Sequence, residues 1–184
     1  LTGSMFREAA ADLQNFELFG EKDVVKALAD YYAAHPDFIW VSGFGVNGRA
    51  EAAIRTLGDA ASHGLIPGEY SVTVPSAAFS PDDTRGRLAE LIRFEMTLSA
   101  RVLRYVSDAQ GGRINPNKLS GYHDFPAKPL DLPAVLNTLA RTQEVRTYLE
   151  SRHPQNVEYQ ALRVELEALR ASVLSTAGRS RGLA

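Results

Sequence analysis

The sequence predicts an all-α, bundle-like domain with at most one short strand pair, and three observations carry that prediction. A small-residue stripe of Ala50, Ala53, Ile54, Leu57, Ala60 and Ala61 falls at the spacing that lines one face of a 3.6-residue helix. A second stripe, Leu88, Leu91, Ile92, Leu98, Val102 and Val106, is long enough for a helix of many turns. Strand-type alternation is nearly absent: only Tyr70-Ser71-Val72-Thr73-Val74 reads as a short edge piece.

Each element has its own start and stop signals. Glu21 to Ala34 carries Val24, Leu28 and Tyr31 or Tyr32 on one side and stops before His35-Pro36. The stripe from Ala50 to Ala61 stops at His63-Gly64, where glycine supplies the positive φ that helix ends favour, and Pro67 blocks continuation. Alanine along such a stripe lets helices approach closely, so the segment reads as an inner element. Ser80-Pro81-Asp82-Asp83 predicts the next start, with a Ser cap, Pro in the first turn and acids at the positive end of the helix dipole. That helix should run to about Asp108, before Gly111-Gly112 and an Asn115-Pro116 turn.

The segment from Asn115 to Leu130, rich in Pro, Gly and Lys, reads as the longest irregular region. Asp131 should cap a helix holding Leu132, Val135, Leu136 and Leu139, and Thr142 the next, through Val145 and Leu149. The last helix, from about Val157 to Ser175, sets Tyr159, Leu162, Leu166, Leu169 and Val173 at spacings of three, four, three and four. That stripe can face the bundle or a neighbour beyond it. No repeat of fixed period and no low-complexity tract interrupts the pattern.

Composition fits one globular domain. With 184 residues, 45% apolar and 23% charged, the chain can bury a sizeable core without a metal or disulfide staple. A net charge of −2 gives no electrostatic footprint for nucleic acid, and Arg179-Ser180-Arg181 is too short to change that. No stretch approaches the roughly 20 apolar residues that span a bilayer. Zero cysteines fit either redox compartment. Leu1-Thr2-Gly3-Ser4-Met5 has the look of a cleaved tag or cloning remnant, so the expected organisation is one helical domain over 6–177 and a tail or linker over 178–184.

Four features invite a chemical reading. Gly43-Phe44-Gly45-Val46-Asn47-Gly48 matches Gly-x-Gly-x-x-Gly, follows the apolar Phe38-Ile39-Trp40-Val41 and precedes a helix, as a dinucleotide-binding turn would. No acid follows the next candidate strand, which ends Val74-Pro75-Ser76-Ala77, and nothing builds a parallel sheet, so a glycine-rich loop leading into a helix is the preferred reading. Glu150-Ser151 has the Glu-Ser pair of lytic transglycosylases, but Arg152-His153-Pro154 follows, and a solvated helix-end glutamate is preferred. His123-Asp124 are neighbours in sequence and seldom face each other as base and orienter. Trp40 could stack on a sugar, yet Phe38, Ile39 and Val41 around it make core the better reading. No catalytic, cofactor-binding or metal residue is assigned.

Several short motifs fall in one order. Tyr31-Tyr32 precedes Phe38-Ile39-Trp40; His63-Gly64-Leu65-Ile66-Pro67-Gly68-Glu69-Tyr70 follows the alanine helix. Gly112-Arg113-Ile114-Asn115-Pro116 and Pro154-Gln155-Asn156-Val157-Glu158-Tyr159-Gln160-Ala161-Leu162-Arg163 come later. Together they resemble the scaffold domain of the large, YcbB-type L,D-transpeptidases, from roughly Tyr31 to Arg170. Asn115 stands where that family usually has Asp, and Val157 where it has a second Pro; both changes are conservative for a turn.

The resemblance implies a periplasmic parent enzyme, of a Gram-negative envelope, that joins peptidoglycan stems through 3-3 cross-links. Its nucleophile is a cysteine in a Ser-His-Gly-Cys-x-Arg-like motif, which this cysteine-free chain lacks; a thioester needs a thiolate. The resemblance therefore implies a non-catalytic scaffold, whose partners are the parent's catalytic and peptidoglycan-binding domains and, as a further candidate, the sacculus. The rival from another class is a stand-alone helical module that binds a protein or glycan through an apolar strip on the last helix.

Overall fold

A computed structural model describes residues 1–13, 22–111, 130–154 and 157–182, with only the helical backbone described for 157–161 and 175–182. The fold is all-α, as the sequence predicts. Its helices are α1 (Thr2–Ala11), α2 (Lys22–Ala34), α3 (Gly48–Gly58), α4 (Thr84–Gly111), α5 (Leu132–Arg141), α6 (Val145–Glu150) and α7 (Val157–Gly182). Two 3-10 turns, Ala60–His63 and Pro67–Tyr70, link α3 to the segment before α4.

The core is organised around α4. Its 28 residues reach about 42 Å at 1.5 Å per residue, and they are buried on more than one side, from Leu91 and Ile92 through Phe94, Leu98, Val102, Leu103 and Val106. Helix α2 meets it with Val24, Ala27, Leu28, Tyr31 and Tyr32, a stripe at i, i+3, i+4, i+7 and i+8. Helix α1 closes this layer by burying Phe6 and Ala10. Phe6 stacks on Tyr32 with ring centroids 5.6 Å apart and meets Phe38 edge-on at 4.8 Å. Helix α3 packs on α4 and buries Ala50, Ala53, Thr56 and Leu57, and α5 packs against α2 and α4 and buries Leu132, Val135, Leu136 and Leu139.

Local capping explains several boundaries. Asn47 accepts a hydrogen bond from the Ala50 N–H at 3.0 Å, and Asp131 from the Ala134 N–H at 3.1 Å. Gly64 ends the first 3-10 turn with φ 76°, as the sequence predicts.

Some expectations are corrected. The predicted strand at Tyr70–Val74 is absent, because Tyr70 closes a 3-10 turn and is buried, with its hydroxyl bonded to Asp108. The strand pair among the described residues is instead β1 (Val41–Ser42) antiparallel to β2 (Gly45–Val46). The stripe ending at Ala61 is two pieces, since the α-helix stops at Gly58 and a 3-10 turn carries Ala60 and Ala61.

The start placed at Ser80 shifts to Thr84: Ser80 accepts from the Asp83 N–H in a turn, and the Asp83 carboxylate accepts from the Gly86 N–H at 2.9 Å. Thr142 ends α5 and α6 begins at Val145, although the Thr142 hydroxyl does accept from the Glu144 N–H at 3.1 Å. The expectations on Gly112–Pro116, on the long loop before Leu130 and on His123-Asp124 lie outside the described residues.

Candidate functional site

Helix α4 places Glu95 and Ser99 one turn apart on one face, opposite α2 and the segment after it. Both are fully buried. Glu95 Oε1 accepts from the Trp40 N–H at 2.9 Å, and the Ile39 N–H reaches both carboxyl oxygens at 3.1 Å. The Tyr32 hydroxyl donates to Oε2. Ser99 Oγ lies 2.7 Å from that hydroxyl and accepts from the Trp40 indole N–H at 2.8 Å.

Burial pushes the Glu95 carboxyl up to about 7, against the pull of these donors, and pushes Tyr32 well above the usual phenol range. The carboxylate is closed to solvent and its acceptor positions are taken. Its chemistry is therefore that of a clamp holding the Ile39–Trp40 backbone, not of a general acid. Sequence reasoning missed Glu95, although a signal existed: it occupies an inner position between Leu91, Ile92 and Leu98. Trp40 is core, as predicted.

The Gly-x-Gly-x-x-Gly motif forms the β1–β2 hairpin and the start of α3. Gly43 and Phe44 have φ 59° and 61°, the two positive values that a tight turn matching strand twist requires. Asn47 caps α3, and its side-chain amide donates to the Ile39 carbonyl at 2.9 Å. Arg87 locks the tip: Nε and Nη2 donate to the Phe44 carbonyl at 3.2 and 2.9 Å, and Nη1 to the Ser76 carbonyl at 2.9 Å. The guanidinium lies 4.5 Å from the Phe79 ring centroid, and Phe79 stacks on Phe44. The motif is thus a structural turn, the reading preferred from sequence.

A third cluster sits where α6 ends. His153 is buried and stacks on His63 with centroids 3.6 Å apart, and its Nε2 lies 2.6 Å from the Tyr105 hydroxyl. Burial, with His63 and Arg163 nearby, lowers His153 to about 3. Burial and Arg163 also lower His63. Both rings are neutral packing elements near pH 7. Glu150 is bonded by Arg146 Nε at 3.0 Å, an i,i+4 helix-end pair rather than an acid poised in a cleft.

Among the described residues no group of three or more His, Cys, Asp or Glu side chains could hold a metal ion, and no helix is long and apolar enough to cross a membrane. Half of the exposed large apolar side chains among the described residues lie on α7. Leu162, Val164, Leu169, Val173 and Leu174 are each more than half exposed. The stripe that could have faced the bundle therefore lies largely in solvent, because α7 meets the bundle at the turn Ala60–His63 and then runs on. The geometry assigns its polar groups to internal clamps and leaves a helix face available for contact.

A family model described as Scaffold domain matches residues 26–166, from α2 into α7. No curated protein and no solved structure matches the chain significantly. That match takes in most of the chain, including the Glu95 clamp, the hairpin and the His63–His153 stack; the chain belongs to the Scaffold domain family.

Proposed function

We propose that this domain is the non-catalytic scaffold of a peptidoglycan L,D-transpeptidase. The observation that carries the reading is the Scaffold family match over residues 26–166, a span in which the sequence also has the aromatic, His-Gly-Leu-x-Pro-x-x-Tyr-like and Gly-Arg motifs that resemble the transpeptidase scaffold. The clamps support it: Glu95, Arg87 and His153 each join segments distant in sequence, as a rigid spacer needs. In this reading the parent enzyme forms 3-3 cross-links in the periplasm with a cysteine supplied by another domain. The scaffold positions that domain and the peptidoglycan-binding domain, and the sacculus is a further candidate contact.

The deciding experiment reads the parent gene past Ala184 and assays the whole protein on sacculi. A downstream Ser-His-Gly-Cys-x-Arg-like motif, with 3-3 muropeptides that vanish when its cysteine becomes alanine, is the expected result. A reading frame without that motif would sink the proposal. The exposed face of α7 favours the second reading, a stand-alone module that binds a protein or glycan, and retention on purified sacculi together with a reading frame that lacks the Ser-His-Gly-Cys-x-Arg-like motif would support it.

A further inference from the structure

Helix α7 leaves the bundle soon after it starts. Leu166 is half-buried, with Cδ1 3.9 Å from where a Cβ on Gly64 would lie, whereas every residue from Glu167 to Leu174 is exposed. A helix gains most of its stability in water from packing an apolar face rather than from propensity. Here that face is Leu162, Leu169 and Val173, exposed by 53%, 64% and 61%, with Leu166 between them.

These four residues are spaced four, three and four apart, the a and d positions of a heptad, with Leu162 and Leu169 at d and Leu166 and Val173 at a. The flanks are charged with opposite signs. Arg163 and Arg170 fall at e, and Glu165 at g; in sequence, Tyr159 at a and Glu158 at g extend the pattern by one step. Val164 and Leu174 lie off this seam, as single exposed apolar residues commonly do.

The charge pattern makes the helix complementary to a copy of itself and sets the orientation of that pair. In a parallel pair, g of one helix meets e of the next heptad on the other, so Glu165 meets Arg170. An antiparallel pair sets e against e and g against g, Arg on Arg and Glu on Glu. Of the two ways in which copies of this helix can pair, the parallel one matches signs on both flanks, and the two-fold symmetry makes the contact self-complementary. Arg163 also pairs with Glu167 in its own helix at 3.4 Å, which leaves Glu165 and Arg170 as the pair farther from the bundle.

We propose that α7 joins α7 of a second copy of this chain in a parallel two-stranded coiled coil. Leu162 and Leu169 at d, with Val173 at one of the two a positions beside Leu166, are compatible with two strands. The seam is short, so the dimer is reversible and its population depends on protein concentration.

Sedimentation equilibrium of the whole chain across a concentration range tests this, together with thiol cross-linking, because the sequence has no cysteine of its own. Expected are a monomer–dimer equilibrium, weakened by about tenfold or more in Leu169→Glu, with circular dichroism and melting temperature that match the wild type at dilutions where both are monomeric. Val173→Cys should oxidise in air to a disulfide dimer, and Ala171→Cys, at an outer position, should not. Glu165→Arg should weaken the dimer, and Glu165→Arg with Arg170→Glu should restore it. A monomer up to millimolar concentration overturns the proposal, and is the result expected if a different domain covers this face. A dimer that Val173→Cys fails to cross-link also overturns it, because the helices would then not be parallel.

Discussion

The backbone N–H of Trp40 donates to Glu95 Oε1 at 2.9 Å across 55 positions of sequence. Ile39 adds its own N–H, and Asn47 returns a side-chain amide bond to the Ile39 carbonyl. The strand that enters the hairpin is thus held from α4 on one side and from the α3 cap on the other. A buried carboxylate in place of a sheet partner satisfies two backbone donors that an isolated two-residue strand would otherwise leave bare.

Glu95→Ala removes the acceptor for the Ile39 and Trp40 N–H groups and for the Tyr32 hydroxyl, and opens a cavity in the central helix. The expected cost is about 3–5 kcal/mol of unfolding free energy. Glu95→Gln keeps the volume and one carbonyl acceptor, so it should cost clearly less. Urea denaturation of the three proteins gives the comparison; equal losses for Ala and Gln would show that restoring the side-chain volume and one acceptor recovers nothing, so that the cavity does not carry the effect.

Two buried groups give stability opposite dependences on pH. Glu95 binds its proton more tightly when folded, at about 7 against 4.5, so its contribution falls as pH rises from about 4.5 through 7, by on the order of 3 kcal/mol. His153 is lowered to about 3 from 6.5, so its contribution is full above pH 6.5 and is lost as pH falls toward 3. Melting curves should therefore show Glu95→Gln gaining on the wild type as pH rises from 5 to 7, and His153→Phe gaining on it as pH falls from 6 to 4. Parallel pH profiles for wild type and both variants would contradict the environments assigned to these groups.

Gly64 has φ 76°, and a Cβ there would meet Leu166 Cδ1 at 3.9 Å, an ordinary contact. The cost of Gly64→Ala is then that of the backbone conformation alone, about 1–2 kcal/mol. Gly64→Asn should cost less, since Asn tolerates the left-handed region. Guanidinium midpoints that rank Gly, Asn and Ala in that order are the expected result; a neutral Ala substitution would mean that the turn relaxes out of the left-handed region.

The stripes of α2, α4 and α5 were legible because apolar periodicity records burial directly: Val24, Leu28 and Tyr32, or Leu132, Val135 and Leu139, reveal their face by spacing alone. The clamps were not legible. Glu95 and Trp40 are brought together by the packing of α4 against the loop after α2, which no local pattern encodes, and Arg87 looks like any charged residue on a helix until its fork is seen on the Phe44 and Ser76 carbonyls. Tyr70-Ser71-Val72-Thr73-Val74 has strand-like composition, but β-propensity reflects packing on a pleated surface, and here Tyr70 packs on Tyr105 instead. The α7 stripe was visible as a pattern, whereas its exposure depended on where the helix leaves the bundle.

Arg87 offers the sharpest test of how the hairpin is held. Phe44 sits at φ 61°, a conformation that costs a bulky residue roughly 1–2 kcal/mol. It persists because the Phe44 carbonyl takes two bonds from the Arg87 guanidinium, whose side chain is only 2% exposed. Lysine has one ammonium and no planar fork, so it cannot bridge the Phe44 and Ser76 carbonyls while lying over Phe79. Arg87→Ala should lower stability by about 2–4 kcal/mol, and Arg87→Lys should recover less than half of that. Amide hydrogen exchange at Gly45, which faces Ser42 across the turn, and at Asn47, whose N–H donates to the Trp40 carbonyl at 3.0 Å, separates the hairpin from the helix. If Arg87 pins the tip, these two amides lose protection in Arg87→Lys beyond the global loss of stability. If they follow the global loss only, Arg87 serves α4 packing, and Phe44 is held by the strands and by Phe79.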